Sequence, residues 1–124
     1  MFPYYYKSGQ LFGLHFGSFF NDEEGLIALM QAEAAFLNAQ SHGVTGIWID
    51  FYQTKLSSRV LGEFIHYLVC VRGRILKLAV VGCSMVDRWR IRRLVQKAEA
   101  LRGLSLRFYA DPEEAKTWLV SDRG

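Results

Sequence analysis

Ser57-Ser58-Arg59, and Gly82-Cys83-Ser84 with Arg88 just behind it, are the places in this 124-residue chain where residue type and spacing suggest chemistry. Each follows an apolar run and precedes a helical pattern, so its serines fall where a helix leaves backbone amides unpaired. A hydroxyl there caps the helix. The same position favours an anion, and a phosphate or carboxylate beside Arg59 or Arg88 is a second reading that the pattern permits. Asp50 closes the first apolar run, Gly46-Ile-Trp-Ile-Asp50, and Gly82 closes the other, Leu76-Lys-Leu-Ala-Val-Val-Gly82. If those strands are parallel neighbours, Asp50, Ser57, Ser58, Arg59, Gly82, Ser84 and Arg88 border one groove on a single sheet edge. There is no Walker-type phosphate loop.

Catalytic patterns are absent. His15, His42 and His66 have no spacing that makes a metal-ligand set or a nucleophile-base pair, so no catalytic or metal residue is assigned. Glu23, Glu24, Glu113 and Glu114 fall in helix first turns, where the helix dipole accounts for them. Cys70 and Cys83 are too far apart for a Cys-x-x-Cys motif and read as two buried, reduced thiols. No cofactor is implied.

Charge is concentrated. Between residues 87 and 102, Arg88, Arg90, Arg92, Arg93, Lys97 and Arg102 stand against Asp87 and Glu99, giving this segment +4 in a chain of net charge +3. A helix face so biased suits an acidic protein, an anionic lipid or nucleic acid. Nucleic acid fits least, because no nucleic-acid-binding motif accompanies the helix and the aromatics fall at inward positions. The aromatics Phe2, Tyr4, Tyr5, Tyr6, Phe12, Phe16, Phe19 and Phe20 read as hairpin core, as a subunit interface that would make a homodimer, or as the rim of an apolar ligand cavity.

The elements that must position these groups are marked by period and punctuation. Residues 2–7 and 10–17 alternate as strands around a Ser8-Gly9 turn. An acidic, capped start at Asn21-Asp22-Glu23-Glu24 opens a helix with Leu26, Ile27, Met30, Ala34 and Leu37 inward, running to Gly43. A strand over 44–51, a helix over 58–72, a strand over 76–82 and a helix from Ser84-x-x-Asp87 to Gly103 follow. A strand over 104–109 and a helix opened by Asp111-Pro112-Glu113-Glu114 complete the order. Glycines after His42, Arg72 and Arg102 suggest left-handed helix ends. The apolar content of 51% over 124 residues predicts one domain spanning 1–124. No signal-peptide pattern opens the chain and no run approaches the roughly 20 apolar residues of a spanning helix, so a cytoplasmic protein without a transmembrane segment is expected.

Taken together, Gly46-Ile-Trp-Ile-Asp-Phe51 with Ser57-Ser58 at the next helix start, Lys77-Leu-Ala-Val-Val-Gly82, and Arg107-Phe108 followed by Asp111-Pro-Glu-Glu-Ala-Lys-Thr-Trp-Leu119 resemble the STAS domains of anti-sigma-factor antagonists, above all their small SpoIIAA-like relatives. The likeness spans about residues 10–120. It implies a single-domain SpoIIAA/STAS-like α/β fold: a mixed, mainly parallel sheet of four to five strands in the order β-β-α-β-α-β-α-β-α, flanked by helices. It also implies a non-catalytic regulatory module of bacterial type that docks a protein partner, such as a kinase or an anti-sigma-like regulator, and is modulated by phosphorylation at Ser57 or Ser58. The family's switch reads Asp-Ser-Ser-Gly, whereas this chain has Leu56-Ser57-Ser58-Arg59. The alternative function is binding of a small anionic or lipid-like ligand by the same fold, its acidic head meeting Arg59 or Arg88.

Overall fold

The computed structural model of the protein describes residues 2–6, 9–39 and 46–121, with side chains from residue 13 onward. Its elements are β1 (Phe2–Tyr6), β2 (Gly9–His15), α1 (Glu23–Asn38), β3 (Gly46–Asp50), α2 (Ser58–Val71), β4 (Lys77–Val81), α3 (Met85–Lys97), β5 (Ser105–Tyr109) and α4 (Pro112–Leu119). The strands form one sheet in the order β1-β2-β3-β4-β5. β1 runs antiparallel to β2, and β2 through β5 are parallel. The α/β class and the element order follow the expectation from the sequence.

Because each parallel strand lies beside its predecessor, three crossovers of the usual right hand all advance in the same direction and stack α1, α2 and α3 on one sheet face. Period-2 alternation then assigns the side chains. Leu14, Ile47, Ile49, Leu78 and Val80 point into the core shared with these helices, together with Phe16, Phe51, Phe64 and Tyr67. The rings of Phe51 and Phe64 meet edge to face at 5.0 Å, a favoured arrangement for buried aromatics. Trp48, Ala79 and Val81 point the other way, onto Ala115, Trp118 and Leu119 of α4. A strand such as β4, buried along its whole length, must be apolar on both sides, which is why Leu78-Ala-Val-Val81 does not alternate.

Lys77 at the start of β4 is nevertheless buried. Its ammonium donates to the Trp118 carbonyl at 3.2 Å and the Ser121 carbonyl at 2.6 Å, so a cation closes the C-terminal end of α4.

Several local expectations differ from the structure. Cys70 is exposed and Cys83 half-buried, both as free thiols, so the pair is not buried as expected. Cys70 stands one helical turn after His66, its sulfur 3.7 Å from His66 Nε2, on the outer face of α2. Gly73 lies inside a 3-10 turn, Arg72–Arg74, and is not a left-handed helix end. α3 stops at Lys97, before a short 3-10 turn over Glu99–Leu101 that delivers Leu101 to the core. Gly103 does take the left-handed conformation, at φ +86°, beneath the Arg72 guanidinium that binds the Ile75 and Arg102 carbonyls. The Ser8 turn, the glycine after His42, and the side chains of Phe2, Tyr4, Tyr5, Tyr6 and Phe12 lie outside the described residues. No helix among the described residues is long and apolar enough to cross a membrane.

Candidate functional site

The C-terminal edge of the sheet is built from three turns. After β2, residues 16–22 lie along the turn after β3. Phe16 N–H donates to the Asp50 carbonyl at 2.9 Å, Ser18 N–H to that of Tyr52 at 2.6 Å and Phe20 N–H to that of Gln53 at 2.9 Å; Lys55 N–H returns a bond to the Phe20 carbonyl at 2.8 Å. The Thr54 hydroxyl clasps both turns, donating to the Phe16 carbonyl at 2.7 Å and accepting from Phe19 N–H at 3.2 Å. Ser18, Phe20 and Gln53 are the three described non-glycine residues with positive φ, and all three lie in these turns. Left-handed non-glycine backbone costs about 1–3 kcal/mol per residue and persists only where the surroundings hold it. These hydrogen bonds therefore hold the edge against local backbone preference.

The third turn, Gly82-Cys83-Ser84, packs against the second. Asp50 Oδ1 accepts the Tyr52 N–H at 2.8 Å, which closes the turn after β3. Gly82, at φ +81°, lies directly over it. Arg90 spans the same join, donating to the Leu56 carbonyl at 2.6 Å and to Asp87 at 3.1 Å.

The two serine clusters thus share one edge, as their placement after parallel neighbouring strands requires, but their groups differ in availability. Ser57 is the N-cap of α2: its hydroxyl accepts from Val60 N–H at 3.2 Å and donates to Glu23 at the start of α1. Ser58, the first residue of the helix proper, is exposed. Ser84 caps α3 by accepting from Asp87 N–H at 3.2 Å. Arg59 pairs with Glu24 at 2.5 Å, and that carboxylate raises its guanidinium further above the ordinary range. Arg88 lies half-buried beside Cys83, whose thiol burial pushes up to about 12, with Asp87 and Asp50 acting in the same sense and Arg88 against them. Among the described residues no cluster of three or more His, Cys, Asp or Glu side chains could hold a metal ion.

Around these turns stands a group of side chains to which the sequence reading assigned no role at the site. Met85 is 75% exposed, Val86 66%, Trp89 60%, and Phe20 and Tyr52 58% each. Five of the eight large apolar residues that the described structure leaves exposed are on this edge or the first turns of α3, a concentration uncommon for a surface with no partner. The signal was present for α3, because Met85, Trp89 and Arg93 recur at i, i+4 and i+8 on the side opposite the stripe Ile91, Leu94, Val95 and Ala98. The sequence names Phe20 only with the N-terminal aromatics and gives Tyr52 no signal, since only the folded sheet puts their turns on the same edge as the start of α3.

Compared with protein-family models, with curated proteins and with solved structures, the chain finds no match.

Proposed function

We propose that this chain is a non-catalytic, regulatory protein-interaction module of the SpoIIAA type that docks its partner on the C-terminal edge of the sheet. The observation that carries the reading is the exposed collar of Phe20, Tyr52, Met85, Val86 and Trp89 on a platform fixed by left-handed turns and the Thr54 clasp. Large exposed apolar side chains beside turns whose backbone is tied by hydrogen bonds give a partner desolvated contact. A five-stranded, mainly parallel sheet flanked by helices also suits the family resemblance.

Regulation in this reading falls on Ser58, exposed at the edge of the collar, and not on Ser57, whose hydroxyl is engaged on both sides. A phosphate there would add two negative charges beside the docking surface, which is how a kinase, or a regulator competing with one, would change partner affinity. The alternative, an anionic or lipid-like ligand, has less support. Arg59 is already paired with Glu24, and Gly82 packs onto Asp50 where an anion would need room.

The test is affinity capture of the tagged chain from its own cells, beside Tyr52→Glu and Val86→Glu variants. A stoichiometric partner held by the parent and lost from both variants supports the reading. A chain that emerges alone, or a partner indifferent to both variants, overturns it, and a co-purifying small molecule in native mass spectra would favour the alternative.

A further inference from the structure

The collar continues into a groove between α2 and α3. Its volume is about 290 Å³, its floor is Leu61, Gly62 and Leu94, and its rim carries Ser58, Trp89, Arg93 and Lys97. Three features define what would fill it. The floor is open: a Cβ added to Gly62 would meet nothing within 4 Å. The rim is cationic, because among the described residues neither Arg93 nor Lys97 is in an ion pair, whereas Arg90 below them is already bound to Asp87. Arg93 is also preoriented, its guanidinium 5.3 Å from the exposed Trp89 ring.

We infer that this groove receives an acidic amphipathic helix of a partner protein, with aliphatic residues on Gly62, Leu94 and Trp89 and carboxylates on Arg93 and Lys97. The inference deepens the docking reading above and rests on it. Charge selects the occupant. A basic or neutral helix would leave the two rim cations facing apolar or like-charged groups, and an acidic one complements both. Spacing selects a helix, since Arg93 and Lys97 are one turn apart and glutamates at i and i+4 on an antiparallel or parallel neighbour match that row. The volume is small for a whole ligand but sufficient for anchoring side chains.

Trp89 supplies the readout, because Trp48 and Trp118 are buried on the other face of the sheet. A library of 16-residue helical peptides, with apolar and charged positions randomised, is selected against the purified chain, and the enriched peptides are titrated against Trp89 emission. Expected are enriched sequences that carry glutamate or aspartate pairs at i and i+4 beside leucine-type anchors. Their affinity should fall about tenfold or more in the R93E/K97E variant and on raising the salt from about 50 to about 500 mM. Gly62→Leu should abolish binding without lowering thermal stability, since it fills the floor while replacing a helix-interior glycine by a better helix former.

Basic or neutral enriched sequences overturn the inference, as does binding that survives both R93E/K97E and Gly62→Leu. So does a Trp89 response to vesicles of phosphatidylcholine and phosphatidylglycerol but to no peptide, which would make the surface a membrane contact. The two readings fail separately. If no peptide binds while cellular capture still depends on Tyr52 and Val86, only the groove is lost; if peptides bind as expected and capture is indifferent to Tyr52 and Val86, the edge reading is lost.

Discussion

A Cβ on Gly82 would lie 2.7 Å from Asp50 Oδ1, the same oxygen that accepts the Tyr52 N–H. The ends of β3 and β4 are thus fitted to each other through one carboxylate and one missing side chain. Gly82→Ala would force both a left-handed alanine and a clash with Asp50 and with Tyr52 N, also 2.7 Å away. The expected loss is about 2–4 kcal/mol, read by urea unfolding. Truncating the carboxylate in the background Asp50→Ala removes one of the two clashes and leaves the one with Tyr52 N. Gly82→Ala should therefore be less damaging there, and equal losses in both backgrounds would show that the Asp50 contact contributes nothing to the effect.

The two serines should separate cleanly. Ser57→Ala removes a cap and the link to Glu23, and is expected to lower stability by about 1–2 kcal/mol, while Ser58→Ala stays within about 0.5 kcal/mol. Glutamate substitution sharpens the contrast. At Ser57 a carboxylate would face Glu23, whereas at Ser58 it enters the first turn of α2, where the helix dipole welcomes it. Thermal unfolding of Ser57→Glu and Ser58→Glu checks this: a large drop is expected for the first and little change for the second.

Much of this architecture was readable because local signals agree with the global fold. The Ser84-x-x-Asp87 and Asp111-Pro-Glu-Glu starts cap α3 and α4 as their residue types dictate, and the stripe Val60, Leu61, Phe64 and Leu68 faces the core. What escaped were relations between segments distant in the chain. Lys77 reads in isolation as a break in an apolar run, and its burial makes sense only once α4 places two carbonyls over it. The serine turns are legible in the sequence, but the collar is not, because Phe20 and Tyr52 lie in two different turns and Met85 opens a helix. The exposure of Cys70 was missed because a cysteine among apolar residues on a helix is more often inward than outward.

Lys77 offers a third prediction. Lys77→Met keeps the aliphatic stem and removes the donors that hold the Trp118 and Ser121 carbonyls, and with them a cation 5.2 Å from the Trp118 ring. The expected loss is about 1–3 kcal/mol. Its location is the sharper test. Amide hydrogen exchange should rise over residues 112–119 while α1 and α2, on the other face of the sheet, keep their protection. Uniform acceleration across the domain would contradict a local role for Lys77.

The thiols and Tyr67 make alkaline pH informative. Burial first, then Asp87 and Asp50, raise the Cys83 thiol from 9.0 to about 12, with Arg88 opposing, and burial also raises the Tyr67 phenol above its ordinary value. Each group stays protonated in the folded chain where the unfolded chain has lost the proton, so the folded state binds more protons and stability falls with rising pH. For Cys83 this contribution is intact below 9.0 and gone above about 12. The steepest loss should fall between those limits, and Cys83→Ala should flatten the slope while leaving the share of Tyr67. Reactivity follows the same thiolate logic. Iodoacetamide at pH 8 should label exposed Cys70 and spare Cys83 until the chain is unfolded, and rapid labelling of native Cys83 would show that its turn opens under native conditions.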